Sequence, residues 1–269
     1  MTTTADKRAA FRALHEAGCF VIPNPWDTGS AIALRSLGFK ALASTSAGMA
    51  WAMGRADGAV TRDEVLAHLT ELAAATDIPL NADFEGGFAD DPETVAANVA
   101  LCAETGVAGL SIEDSTGDAA APLYEFSLAV ERIAAARAAL AGTGVLLTAR
   151  TEGFIRGRPD LEETVRRLTA FSDAGADVLY APGVHTEIEI ATVVRAVAPK
   201  PVNVLAPGLS VATLTDLGAR RISVGASLAR TAWGEFLRAA REIAATGEFG
   251  AFDRGAKGGE LNALFAGRS

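Results

Sequence analysis

A chain of 269 residues with 49% hydrophobic side chains can bury a sizeable core, which excludes an intrinsically disordered protein. A net charge of −9 excludes the basic surface that nonspecific nucleic-acid or anionic-membrane binding needs, while a local cation could still receive an anionic small molecule. Two unpaired cysteines, Cys19 and Cys102, no signal-like apolar core near the N-terminus and no window near ~18 consecutive apolar residues predict a cytoplasmic protein that does not span a membrane.

After a charged, helix-like N-terminus, short apolar runs alternate with Ala/Leu-rich segments of helical period. The candidate strands are "CFVIPNPWD", "KALASTS", "PLNADFE", "GLSIED", "VLLTAR", "DVLYAPG", "PVNVLA" and "RRISVGAS". Helices are predicted around 29–37, 62–76, 92–105, 126–140, 160–174, 186–198 and 210–217, with a last long one over 231–246. The strands are apolar on both faces, as in a parallel sheet covered on both sides. Eight βα units without a linker predict one α/β domain over 1–269, a (β/α)8 barrel spanning about 18–235 followed by a C-terminal helix and tail over about 231–269. The turn "PNPWDTGS" after the first strand is not a GxGxxG fingerprint, which argues against an open dinucleotide-binding sheet.

A barrel places its ligand site at the C-terminal strand ends. The polar residues there are Asp27, Ser44 to Ser46, Asp83 with Glu85, Glu113 with Asp114, Arg150 with Glu152, Tyr180, Asn203 and Ser223. A side-chain period of two puts Asp83 and Glu85 on one face of their strand, and Glu113 closes the next strand. Two readings stay open. Asp83, Glu85 and Glu113 are hard oxygen ligands for Mg2+ or Mn2+, or else they cap helices and pair with Arg150. Arg150 itself is either that structural partner or an electrophile that offsets negative charge on a substrate oxygen. The small residues of "STSAGMA" either leave backbone N–H groups free for a carboxylate or phosphate or simply ease a tight turn. His15 and His68 fall in helical surface pattern and are expected in solvent; His185 follows the sixth strand, facing either solvent or the site.

In order along about residues 18 to 235, "STSAG", "NADFEGGF", "GLSIED", "LLTARTEG" and "PVNVLA" resemble the phosphoenolpyruvate mutase/isocitrate lyase superfamily. The resemblance implies a barrel whose eighth helix is exchanged between copies, giving a homodimer or homotetramer. It also implies Mg2+ (or Mn2+) chelated by a small 2-oxo or 2-hydroxy carboxylate, with an enolate intermediate. Carried over by motif, Ser46 and the Ala47 and Gly48 backbone hold the substrate carboxylate, and Asn203 contacts it as well. Asp83 matches an acid at the metal, Glu113 the next acid acting through water, and Arg150 the arginine on the oxyanion. Asp57 falls where the family has an acid near the metal or on a mobile loop, so the catalytic candidates are Arg150, Glu113 and Asp57.

The chain also departs from the family pattern. Asn81 replaces the first acid of an Asp-Ala-Asp motif, and Glu85 is expected to supply the missing charge. After "SIED" the lyases carry a Lys-Lys/Arg-Cys-Gly-His loop; this chain reads "STGDAAAPLYEF", with only Ser115, Thr116 and Tyr124 as donors. Isocitrate-type cleavage needs a positioned acid, and C–P chemistry needs donors for the phosphoryl group. Oxaloacetate-type decarboxylation asks least, since CO2 leaves unaided and water can protonate the carbon. The sequence therefore predicts a Mg2+-dependent carbon–carbon lyase on a small oxo acid. A C–P phosphonomutase or phosphonopyruvate hydrolase and a non-catalytic, metal-dependent oxo-acid binder remain as alternatives.

Overall fold

The computed structural model describes residues 2–206 and 208–266. Eight strands alternate with helices along the chain: β1 (Phe20–Ile22), β2 (Leu42–Ala43), β3 (Leu80–Asp83), β4 (Gly109–Glu113), β5 (Leu146–Arg150), β6 (Val178–Tyr180), β7 (Val202–Leu205) and β8 (Arg221–Ser223). All pair in parallel in the order β1-β8-β7-β6-β5-β4-β3-β2. The seam between β1 and β2 is bridged by the Ala43 N–H donating to the Pro23 carbonyl at 3.0 Å. The result is the predicted α/β barrel of eight parallel strands.

The helices are α1 (Thr4–Leu14), α2 (Thr28–Ser36), α3 (Ser46–Ala52), α4 (Arg62–Ala75), α5 (Pro92–Glu104), α6 (Phe126–Ala139), α7 (Leu161–Asp173), α8 (Glu187–Val197), α9 (Val211–Asp216), α10 (Ser227–Thr246) and α11 (Gly258–Ala266). Local chemistry fixes their starts. Thr61 and Thr186 form capping boxes with Glu64 and Glu189, and Asp91 caps α5 with Pro92 in its first turn. The predicted helices agree to within a few residues, except that α10 begins four residues earlier than expected, at Ser227, and that the short α3 was not foreseen. No helix is long and apolar enough to cross a membrane among the described residues.

The barrel floor is closed by α1. Its Phe11 is fully buried against Ile22, Ala41, Ala43, Ala108 and Leu146. Lys7 Nζ donates to the Ala73 and Thr76 carbonyls, and Arg8 donates to those of Ala103, Val107 and Thr143. Cations thus satisfy carbonyls left over at the ends of α4 and α5. A Cβ on Gly109 would lie 2.6 Å from the Phe11 ring and 2.7 Å from Asn81 Oδ1, so β4 can open only with glycine there.

Two histidine expectations are corrected. His15 lies on the inward face of α1, 8% exposed, between the rings of Phe11 and Phe20. His68 is half-buried on α4, and burial lowers its pKa. Cys102 is buried in the core and Cys19 half-buried, both as free thiols.

Candidate active site

Strand register sets a ring of side chains at the barrel mouth. Glu113 pairs with Arg150, Arg150 with Tyr180, and Tyr180 with Asn203, one residue from each of four neighbouring strands. Above this ring opens a cavity of about 670 Å³ whose lining includes Ser46, Asp57, Glu85, Glu113, Arg150 and Arg156. A smaller cavity of about 50 Å³ lies inside the barrel and reaches Asp83, Tyr180, Asn203 and Arg221; Arg150 lines both.

Arg150 organises the acids. Its Nη1 lies 3.5 Å from Asp83 Oδ1 and 3.4 Å from Glu113 Oε2, while its Nε donates to Glu152 Oε1. The ion pair allowed for in the sequence therefore exists, yet one guanidinium cannot neutralise the group. Glu85 is pushed up to about 7, first by burial and then by the charges of Asp83 and Asp57. Glu113 is also raised, chiefly by burial, against the pull of Arg150. Glu152 is fully buried, and its Oε2 has no hydrogen-bond partner among the described residues.

Asp83 is locked from below and behind: Ser44 Oγ accepts its N–H at 2.8 Å, and its Oδ2 accepts the Ser46 N–H at 3.0 Å. Glu85 differs from expectation. β3 ends at Asp83, and Glu85 has a positive φ of 48°, so the two acids are not paired on one strand face. Glu85 instead starts a tight turn in which Gly87 N–H donates to the Phe84 carbonyl and the Glu85 carbonyl accepts the Glu113 N–H. This turn raises the Glu85 carboxylate to the larger cavity, one level above Asp83.

The "STSAG" segment also differs from the expectation of open N–H groups. Thr45 caps α3 by accepting the Gly48 N–H at 3.3 Å, and the Ser46 N–H is used by Asp83, which leaves Ala47 as the member not tied by either bond. Asn203 sits in the inner cavity, accepting from Arg221 Nε at 2.8 Å and donating to Ser223 Oγ at 2.9 Å. Asp57 is exposed on the α3–α4 loop at the cavity rim. His185 is exposed, its Nδ1 2.9 Å from the Gly183 carbonyl, and it lines neither cavity.

Two arginines, Arg132 and Arg156, carry little signal in the sequence pattern, and Asp114, placed at the strand ends without a role, proves to be a structural support. Arg132 on α6 is 1% exposed and has no ion-pair partner among the described residues; it donates to the carbonyls of Gly86, Ala89 and Asp90 and stacks on Tyr124. It thereby fixes the turn that carries Glu85. Asp114 accepts from Thr151 Oγ1, the Glu152 N–H and Arg167 Nη1, joining the ends of β4 and β5. Arg156, four residues after Glu152, faces the larger cavity. Mid-helix or loop arginines ordinarily read as solvated, and only the helix-like spacing of Glu152 and Arg156 hinted otherwise.

The donor set fits a hard divalent cation. Asp83, Glu85, Glu113 and Glu152 outnumber Arg150 and Arg156, the raised carboxyls call for further positive charge, and all the donors are oxygens. Among the described residues no three acids, histidines or cysteines converge into a ready cage. Mg2+, which keeps several waters and needs only one or two carboxylates, suits such an open arrangement.

The chain matches the phosphoenolpyruvate phosphomutase family over residues 11–244. A Burkholderia cenocepacia J2315 crystal structure, considered a lyase/mutase, is 48% identical, superposes with a TM-score of 0.95 and covers 99% of this chain and 98% of that one. An uncharacterized Mycobacterium tuberculosis protein is 35% identical over 220 residues, 80% of this chain and 81% of the relative. The oxaloacetate decarboxylase of Paraburkholderia xenovorans (strain LB400) is 28% identical over 202 residues, covering 72% and 67% respectively.

Proposed function

Because the chain belongs to the phosphoenolpyruvate phosphomutase family, we propose that it is a Mg2+-dependent carbon–carbon lyase acting on a small 2-oxo or 2-hydroxy (di)carboxylate through an enolate. The observation that carries this reading is Arg150, whose Nη1 sits between Asp83 and Glu113 at 3.5 and 3.4 Å beneath a cavity rich in carboxylates. Asp83, Glu85 and Glu113 would hold the ion, directly or through water. When bound, Mg2+ supplies Lewis-acid polarisation of the substrate oxygen. Arg150 offsets the negative charge that develops there, pre-aimed by Glu152 so that no reorganisation is needed during reaction. The Ser46 hydroxyl, the Ala47 N–H and Asn203 are the proposed carboxylate contacts, with Asp57 closing the rim; the Gly48 N–H, expected to join them, is taken by Thr45.

The loop after β4 supports chemistry that needs no strong acid. Thr116 Oγ1 donates to the Ala121 carbonyl, Ser115 Oγ accepts the Gly117 N–H, and Tyr124 donates to Asp90 at 2.5 Å. The Tyr124 hydroxyl is pushed up to about 12 by burial and by Asp90, which makes it a poor proton donor. Oxaloacetate-type decarboxylation, with water protonating the carbon, is the form such a loop serves best. The test is product formation from oxaloacetate and from phosphonopyruvate, each with Mg2+ or EDTA. Metal-dependent pyruvate from oxaloacetate above the free-ion background is expected. Phosphate from phosphonopyruvate would reassign the chain to C–P chemistry, and neither product would reduce it to a binding protein.

We further propose a cytoplasmic homo-oligomer in which α10 is exchanged between copies. Among the described residues α10 buries only Ala229, while Trp233, Phe236 and Leu237 on it are exposed. An amphipathic helix that leaves its own barrel uncovered needs another surface to cover.

A further inference from the structure

We propose that Arg156 is the anchor for a second anionic group on the substrate, so that the site selects diacids over monoacids of the same carbon skeleton. The inference rests on the oxo-acid reading above and concerns a residue to which that reading gives no role.

Arg150 and Arg156 are the two cations lining the larger cavity among the described residues. They differ in how far they are committed. Arg150 is packed at the base and held by Glu152, Asp83 and Glu113. Arg156 stands on the cavity wall, 43% exposed, with Nη2 3.5 Å from Glu113 Oε1 and Nε 3.6 Å from Glu152 Oε2. Those separations are ion pairs rather than hydrogen bonds. The guanidinium hydrogen-bonds to no described residue, whereas Arg132, Arg167 and Arg221 are bonded through theirs. Five N–H donors in a planar fork, oriented by two acids but not consumed by them, match a carboxylate.

The backbone beneath it is well placed. The Arg156 N–H donates to the Glu152 carbonyl at 3.0 Å, and Arg158 N–H returns to the Gly153 carbonyl at 2.8 Å. Gly183, with φ of 91°, lets the turn pack closely, since a Cβ there would lie 2.8 Å from Phe154 and Ile155 side-chain atoms. The opposite wall, the loop after β4, carries no cation to compete for the same group. A monoanionic acid, or the adjacent carboxylates of oxalate, meets charge at the base of the site; a carboxylate farther along the carbon skeleton finds its partner at Arg156.

This role acts on ground-state binding. In oxaloacetate-type decarboxylation it stabilises the carboxylate before that group leaves as CO2, so its removal raises KM without lowering kcat. Binding is measured by calorimetry in Mg2+ with oxalate, malate and 2-hydroxybutanoate, the last two differing by the distal carboxylate. Wild-type protein is expected to prefer malate to 2-hydroxybutanoate by roughly 10-fold or more. R156M should reduce that preference to within about 2-fold while oxalate affinity holds, and R156K should restore part of it. A preference that survives in R156M, a wild-type protein without one, or a parallel loss of oxalate affinity overturns the inference. Wild-type protein that binds none of the three sinks the oxo-acid reading first, and Arg156 with it.

Discussion

At the scale of single residues, charge that is buried without a full complement of partners decides most of what can be tested. Arg132 has carbonyls and an aromatic face in place of a carboxylate. R132M leaves the Gly86, Ala89 and Asp90 carbonyls without their donor and should cost roughly 2–4 kcal/mol in chemical denaturation. It should also weaken metal-dependent oxalate binding, because the turn bearing Glu85 loosens. His15 behaves in the opposite sense to a surface histidine: burial and then the Arg221 charge hold its pKa down to about 3. Its folded value lies below the free one, so the unfolded chain binds more protons, and the stabilisation is present above about pH 6.5 and lost as pH falls. Replacing His15 by Asn should therefore remove about 1 kcal/mol of the stability change between pH 7 and 5.5, read as the difference from wild type. Equal pH slopes for the two proteins would show that the ring titrates normally.

Among the elements, strands were the most legible in the sequence because each is a short, largely apolar run closed by turn residues, with an acid, an arginine or a serine ending β3, β4, β5 and β8. What the sequence reading lost lay in turns. A period of two carried Asp83 and Glu85 onto one strand face, although "EGG" marks a turn and β3 stops at Asp83. Small residues after β2 looked like an open anion cradle, whereas Thr45 begins a helix there and Asp83 takes the Ser46 N–H. Arg132 and Arg167 were invisible because a helical arginine looks solvated until its neighbours in space are known. The floor helix makes its own prediction. F11A empties a fully buried ring site between α1 and the strands and should destabilise the barrel by roughly 3–5 kcal/mol in a denaturant titration. A change below about 1 kcal/mol would mean that α1 is not docked as described.

For the molecule as a whole, the uncovered face of α10 predicts association. Wild-type protein should sediment as a dimer or tetramer, and W233E/F236E should shift it toward monomer with its helical content kept. A wild-type monomer at micromolar concentration would refute helix exchange. The docked tail is consistent with this layout, since α11 packs on α2 of its own chain, with Phe265 beside Gly29. All the functional proposals share one premise, that the acids at the mouth of the barrel form a seat for a divalent cation on which a small oxo acid is held. Calorimetry of oxalate binding with Mg2+ or EDTA, in wild type and in D83A, tests it most directly. Oxalate binding is expected to require Mg2+ in wild type and to be abolished in D83A; oxalate bound equally with EDTA, or with unchanged affinity in D83A, would refute a cation seat at the barrel mouth.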